Sequence, residues 1–149
     1  MMDTLNRAGR TSEAAVIARG TPVGKEATDA LIGVAGFVLA RNGDVGDART
    51  RLAILEARAA EGYSRPFWRS QIHIALEEFD DAFGLLDQAV AARDGGLVYM
   101  SVIPRVTGFQ EDPRYGQLLN RIGLGHLLPG IRRRSADWSR QRARAPDDR

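Results

Sequence analysis

Ala14, Ala48 and Ala82 recur at one constant interval of about 34 residues, and this spacing constrains the chain more than any other feature of it. Other residues keep step: Leu5 with Leu39, Arg7 with Arg41, Gly9 with Gly43 and Leu52 with Leu86. An acid, Glu13, Asp47 or Asp81, directly precedes each alanine. A period of this length is that of a helix–turn–helix unit, which cannot bury its apolar face alone and must stack on its neighbours. The expected fold is therefore all-α: a right-handed solenoid of antiparallel helix pairs with a C-terminal capping helix. Such an array leaves a curved surface, suited to holding a partner rather than to chemistry.

Composition bounds the alternatives. With 44% hydrophobic and 27% charged residues the chain resembles an ordinary globular protein, which argues against disorder of the whole. The absence of cysteine excludes disulfides and thiolate metal sites. The longest apolar run, residues 30–40, is far shorter than the ~20 residues of a membrane span. The opening MMDTLNRAGR lacks the apolar stretch of a secretory signal, so a cytoplasmic location is expected. Formal net charge is +2, with seven arginines and three aspartates gathered in residues 131–149. The repeat body is close to neutral.

Three segments are predicted: a partial N-terminal repeat and connector over 1–24, a helical repeat domain with its capping helix over 25–124, and a basic, flexible tail over 125–149. Thr21, Pro22 and Gly24 break the helical pattern before a helix over about 27–42, whose apolar residues fill both faces and call for a sandwiched position. Gly43 supplies a left-handed stop and Asp44 an N-cap for the helix over 45–60. In that helix Ala48, Leu52, Leu55 and Ala59 form the inward stripe, while Arg49, Arg51, Glu56 and Arg58 mostly occupy the rest. Asp47 and Arg51 make an exposed i, i+4 pair worth about 0.3 kcal/mol. Ser64 is the candidate N-cap and Pro66 the first turn of the next helix. That pair of helices, over about 65–77 and 80–93, is joined at Glu77, Glu78 and Phe79 with no glycine in the turn. A short apolar helix over 97–102 follows, and Asp112 and Pro113 open the capping helix, which ends at Gly123.

Three stretches carry a family resemblance: GFVLARNGDVGDA at 36–48, RPFWRSQIHIALEEFDDAFGLLDQAVAARD at 65–94, and LVYMSVIPRVTGFQEDPRYGQLLNRIGL at 97–124. Together they resemble the C-terminal tetratricopeptide repeat (TPR) domain of bacterial multidomain regulators, in which the repeats follow a winged-helix, cyclase or kinase module. The final stretch is the most specific, because Pro104, DPR at 112–114, LL and IGL keep that family's closing spacing. His73 stands where a tyrosine is usual and Glu77 where a glycine is usual. None of the effector modules is present, so the resemblance implies a regulatory or scaffolding fragment.

No catalytic constellation is found, and neither a metal nor a cofactor is expected. His73 and His126 lack an i, i+4 histidine partner, and their expected roles are structural or solvated. The carboxylates Glu77, Glu78, Asp80 and Asp81 read as a solvated turn, having neither an EF-hand pattern nor defined acid/base partners. The functional expectation is a partner-binding groove on the first helix of each pair, lined by Phe37, Arg41, Phe67, Trp68 and Gln71. Aromatic and arginine residues are the types that anchor interfaces. Phe37 and Phe67 are also placed to fill the gap between repeats, which leaves Trp68 and Arg41 as the better anchors. The partner is a protein or peptide; a membrane role is not expected, and the open N-terminal unit allows pairing with a second copy. An alternative class, a nucleic-acid accessory protein using the arginine-rich tail, is disfavoured by the tail's three aspartates and single aromatic. A small helical enzyme is third, lacking a nucleophile, base or metal set.

Overall fold

The computed structural model describes residues 10–62 and 64–133. All regular structure among them is helical, and it includes α1 (Thr11–Arg19), α2 (Asp29–Arg41), α3 (Val45–Ala60), α4 (Pro66–Ala75), α5 (Phe79–Ala91), the 3-10 helix η1 (Gly95–Ser101), α6 (Pro113–Arg121) and the 3-10 helix η2 (Gly125–Leu127). Leu5, Arg7 and Gly9, expected to keep the repeat register, lie outside the described residues, as does the arginine-rich stretch from 134 onward with Trp138. The chain divides into two compact units, one ending at Leu97 and the other beginning at Val98. This division falls inside the span 25–124 expected as one repeat domain.

In the first unit α2 and α3 form one helical hairpin and α4 and α5 a second; α1 lies on α2, and α2 packs along α4. Helix α2 starts where Thr28, in extended conformation, accepts a hydrogen bond at Oγ1 from the Leu31 N–H (3.2 Å). It ends in a Schellman motif: the Gly43 N–H donates to the Ala40 carbonyl (3.0 Å) and the Asp44 N–H to that of Leu39 (2.9 Å), with Gly43 at φ 89°. The same pair of bonds recurs one period on, from Glu77 to Ile74 (3.1 Å) and from Glu78 to His73 (3.0 Å). Glu77 there adopts φ 63°, a left-handed conformation that costs a side-chain-bearing residue about 1–2 kcal/mol. The fold thus imposes one turn geometry on both hairpins, favoured by glycine in the first and endured by glutamate in the second.

The alanines that mark the period are wholly inaccessible: Ala14, Ala48 and Ala82 are each 0% exposed. Leu52 and Leu86, and Leu55 and Ala89, occupy matching buried positions behind them. Truncating Leu55 to alanine at such a site costs about 2–5 kcal/mol. Helix α2 is buried on nearly all sides, as a sandwiched helix must be. Its contact with α4 depends on two residues without side chains. A Cβ on Gly33 would lie 3.0 Å from both Trp68 Cβ and the Trp68 carbonyl oxygen, and one on Gly36 would lie 2.5 Å from Ile72 Cδ1. Because these contacts advance together along both helices, α2 and α4 run parallel.

Three local expectations need correction. Arg51 is not on the outer face: only 6% exposed, it reaches past α2 to the end of α1, where Nη2 donates to the carbonyls of Ala18 (2.6 Å) and Thr21 (3.3 Å). Burial lowers its pKa, partly offset by Asp47. The supposed exposed pair is therefore a buried arginine capping another helix's C-terminus. Ser64 is not the N-cap of α4; Arg65 holds that place, and the Phe67 N–H is met instead by the buried Asp94 carboxylate (3.4 Å), which also accepts from the Gly96 N–H (2.9 Å). Asp44 does stand at the N-cap of α3, but its carboxylate bonds Arg19 (2.7 Å) and Asn42 (2.8 Å) rather than the helix N–H groups.

The second unit has its own small core of Met100, Val106, Phe109, Tyr115, Leu118 and Leu119. The Tyr115 hydroxyl donates to the Met100 carbonyl (2.7 Å), and its ring meets Phe109 edge-on at 5.4 Å. Helix α6 begins as expected: Asp112 accepts from the Arg114 N–H (2.8 Å) and Pro113 takes the first position. Tyr115, Leu118 and Leu119 face inward while Arg114, Gln117, Asn120 and Arg121 are exposed. Residues 128–133, within the segment expected as a flexible tail, are helical, and Ile131 is buried. Among the described residues no helix is long and apolar enough to cross a membrane.

Candidate functional site

The five residues expected to line a groove separate by burial. Phe37, Phe67 and Gln71 are buried, at 5%, 1% and 6% exposure, whereas Arg41 and Trp68 keep part of their surface in solvent. Phe67 is covered by Gly96, whose missing side chain would otherwise lie 2.4 Å from the Phe67 ring. Arg41 and Trp68 are not brought together. Trp68 faces Gly33 near the start of α2, while Arg41 closes that helix at its far end, about 12 Å along its axis.

Trp68 instead lines an open depression of 390 Å³ with Thr28, Asp29, Ala30, Arg58 and Arg65. Three helix ends build it: the first turn of α2, the last turn of α3 and the first turn of α4. The floor is held rigidly. Arg58 donates to Asp29 Oδ1 (2.9 Å), to the Ala27 carbonyl (2.7 Å) and to the Gly24 carbonyl (2.8 Å), which pins the connector before α2 to the end of α3. The second Asp29 oxygen accepts from the Arg65 N–H (3.3 Å). Asp29 and Arg58 are both largely shielded, with side chains 13% and 20% exposed.

The Arg65 side chain is different, being 69% exposed with its Nη1 4.0 Å from Asp94. The depression therefore presents a fixed Trp68 ring, edge-on to Phe67 at 4.9 Å, beside a guanidinium able to swing toward a ligand. A flat apolar face with an adjacent five-donor fork is equipped to bind: it can stack a planar or aliphatic group and pair a carboxylate. Thr28, Arg58 and Arg65 escape sequence reasoning because they come from three helix ends that only folding juxtaposes. The one available signal is Arg65–Pro66–Phe67–Trp68, an arginine and an indole flanking a helix start. Compared with family models, with characterised proteins and with solved structures, the chain matches none of them.

Proposed function

We propose that this chain is a protein-interaction module of the TPR type, a scaffolding or regulatory fragment without catalytic activity, acting in the cytoplasm as part of a bacterial regulator. Its helix pairs stack as consecutive repeats of a right-handed solenoid and engage a protein or peptide partner. The observation that carries this reading is the equivalence of the two hairpins: the same Schellman bonds at 43/44 and 77/78, the same inaccessible alanine at 48 and 82, and first helices in parallel contact.

Trp68 is the principal anchor, with Arg65 beside it and Arg41 contributing farther along α2. Indole and guanidinium groups dominate binding energy where they become desolvated on association. Phe37, Phe67 and Gln71 serve the packing beneath. The test is capture of partners from native cytosol, identification of the bound protein, and titration of that protein against variants. Trp68→Ala should weaken binding by at least ~30-fold, the effect of losing about 2 kcal/mol at a hot spot, and Arg41→Ala by less. Unchanged affinity in both variants, with helical content intact, would falsify the assignment of this face.

A further inference from the structure

Away from Trp68, one cluster combines a ring nitrogen with two carboxylates. His73 in the last turn of α4, Glu78 at the N-cap of α5 and Asp81 in its first turn each offer a ligand atom, all within 4.8 Å of one another. His73 Nδ1 and Glu78 Oε2 share a hydrogen bond of 2.8 Å, and the histidine side chain is only 12% exposed. The spacing of the three along the chain matches no ligand motif in sequence. The turn creates the cluster: in a Schellman motif the third-last helical residue and the second residue past the cap meet, usually through apolar side chains. Here those two residues are an imidazole and a carboxylate.

The preceding turn serves as an internal control. Its equivalent residues are Leu39, Asp44 and Asp47. Acids at a helix N-terminus complement the dipole, which accounts for the acidic pair in both turns. In the first, Arg19 serves both acids, at 2.7 Å from Asp44 and 3.9 Å from Asp47. In the second, Arg49 pairs with Glu78 at Oε1, and among the described residues no ion pair reaches Asp81. The helix dipole does not explain the histidine in place of Leu39, nor why the second turn lacks an arginine that serves both acids as Arg19 does in the first.

We propose that His73, Glu78 and Asp81 bind one divalent transition-metal ion, with Zn²⁺ the best match. One imidazole and two carboxylates suit Zn²⁺ or Co²⁺ better than Mg²⁺ or Ca²⁺, which favour all-oxygen sites. Ligands ~2.1 Å from Zn²⁺ at a tetrahedral angle stand roughly 3.4 Å apart, so the His73–Glu78 pair opens by a fraction of an ångström to admit the ion. The ion replaces the proton held between Nδ1 and Oε2, and that proton leaves to solvent. Glu78 turns Oε2 to the metal while Oε1 stays on Arg49. Three protein ligands leave the fourth position to water. The site joins the end of α4 to the start of α5, clamping the turn whose Glu77 is held at positive φ.

The untagged full chain, titrated with Zn²⁺ by calorimetry near neutral pH and with Co²⁺ as an optical probe, should bind one equivalent of either ion. His73→Ala and Asp81→Asn should each weaken binding by at least ~10-fold. His126→Ala, in the second unit, should leave it unchanged. Asp81 is exposed, so Asp81→Asn reads the site even if His73→Ala perturbs folding. Arg49→Ala, which removes a competing cation from Glu78, should bind at least as tightly. The proposal is overturned if the folded chain shows no saturable binding, if Asp81→Asn binds like the parent, or if His126→Ala or Arg49→Ala loses the ion. It stands apart from the partner reading, since neither Trp68 nor Arg41 is involved.

Discussion

Replacing Glu77 with glycine should make the protein more stable, although it deletes a side chain and adds a flexible residue. Glu77 sits at the left-handed position of the α4–α5 turn with φ 63°, where a Cβ costs about 1–2 kcal/mol. Glycine removes that cost but gains more freedom in the unfolded chain, a loss of about 0.5–1 kcal/mol relative to alanine. The side chain is exposed, so no packing is forfeited. Its charge lies beside both the C-terminus of α4 and the N-terminus of α5, whose dipole effects oppose each other. The difference favours glycine by about 0.5–1 kcal/mol. For a unit of this size that amounts to a rise of roughly 2–8 °C in Tm.

Urea denaturation followed by circular dichroism measures the difference as a shift in midpoint at constant slope. The matching experiment runs in reverse at the equivalent residue: Gly43→Ala, at φ 89°, should destabilise by about 1 kcal/mol or more. Opposite signs at two positions one period apart are the signature of one turn imposed twice. If Glu77→Gly were neutral or harmful while Gly43→Ala was tolerated, the account of a shared left-handed cap would be wrong.

Arg51→Leu should lower stability by about 2 kcal/mol, because the carbonyls at the end of α1 lose a charged donor. Hydrogen exchange should show α1 amides opening first, and unaltered protection of α1 in the variant would refute the capping role. Acid should weaken the second unit through Asp112 and Glu111. The hydrogen bond from Arg114 holds Asp112 below its ordinary 3.8, and the bonds from Arg105 and the Gly108 N–H outweigh burial to hold Glu111 below 4.5. Folded values below unfolded ones mean that the unfolded chain binds more protons, so this stability is full above ~4.5 and is lost as pH falls through the lowered values. Asp112→Asn, which keeps a capping side chain, should flatten the acid limb of a Tm-versus-pH curve. A limb as steep as the parent's would contradict the linkage.

Helix positions are legible in the sequence because their punctuation is local. Gly43, Pro66, Asp112–Pro113 and Gly123 act within one turn, and the buried alanines repeat at an interval that can be counted. Arg51 misleads because its partner is the carbonyl end of a helix much earlier in the chain, which no helical wheel shows. Ser64 misleads because a buried carboxylate from Asp94, far along the chain, meets the Phe67 N–H that an N-cap would otherwise satisfy. The depression beside Trp68 draws residues from three helix ends, so the sequence shows only its Arg65–Trp68 stretch. His73 and Glu78 meet through a turn lacking its usual glycine, and spacing alone gives them no reason to be neighbours.

Arg51 and Leu85 occupy matching places in successive hairpins, one a guanidinium committed to foreign carbonyls and the other plain hydrocarbon. The two modules are consequently not interchangeable. A designer lengthening this protein could duplicate the second hairpin, where hydrocarbon fills the place that Arg51 takes in the first. A copy of the first, set anywhere but behind a short helix that stops where α1 stops, would enclose an orphaned positive charge.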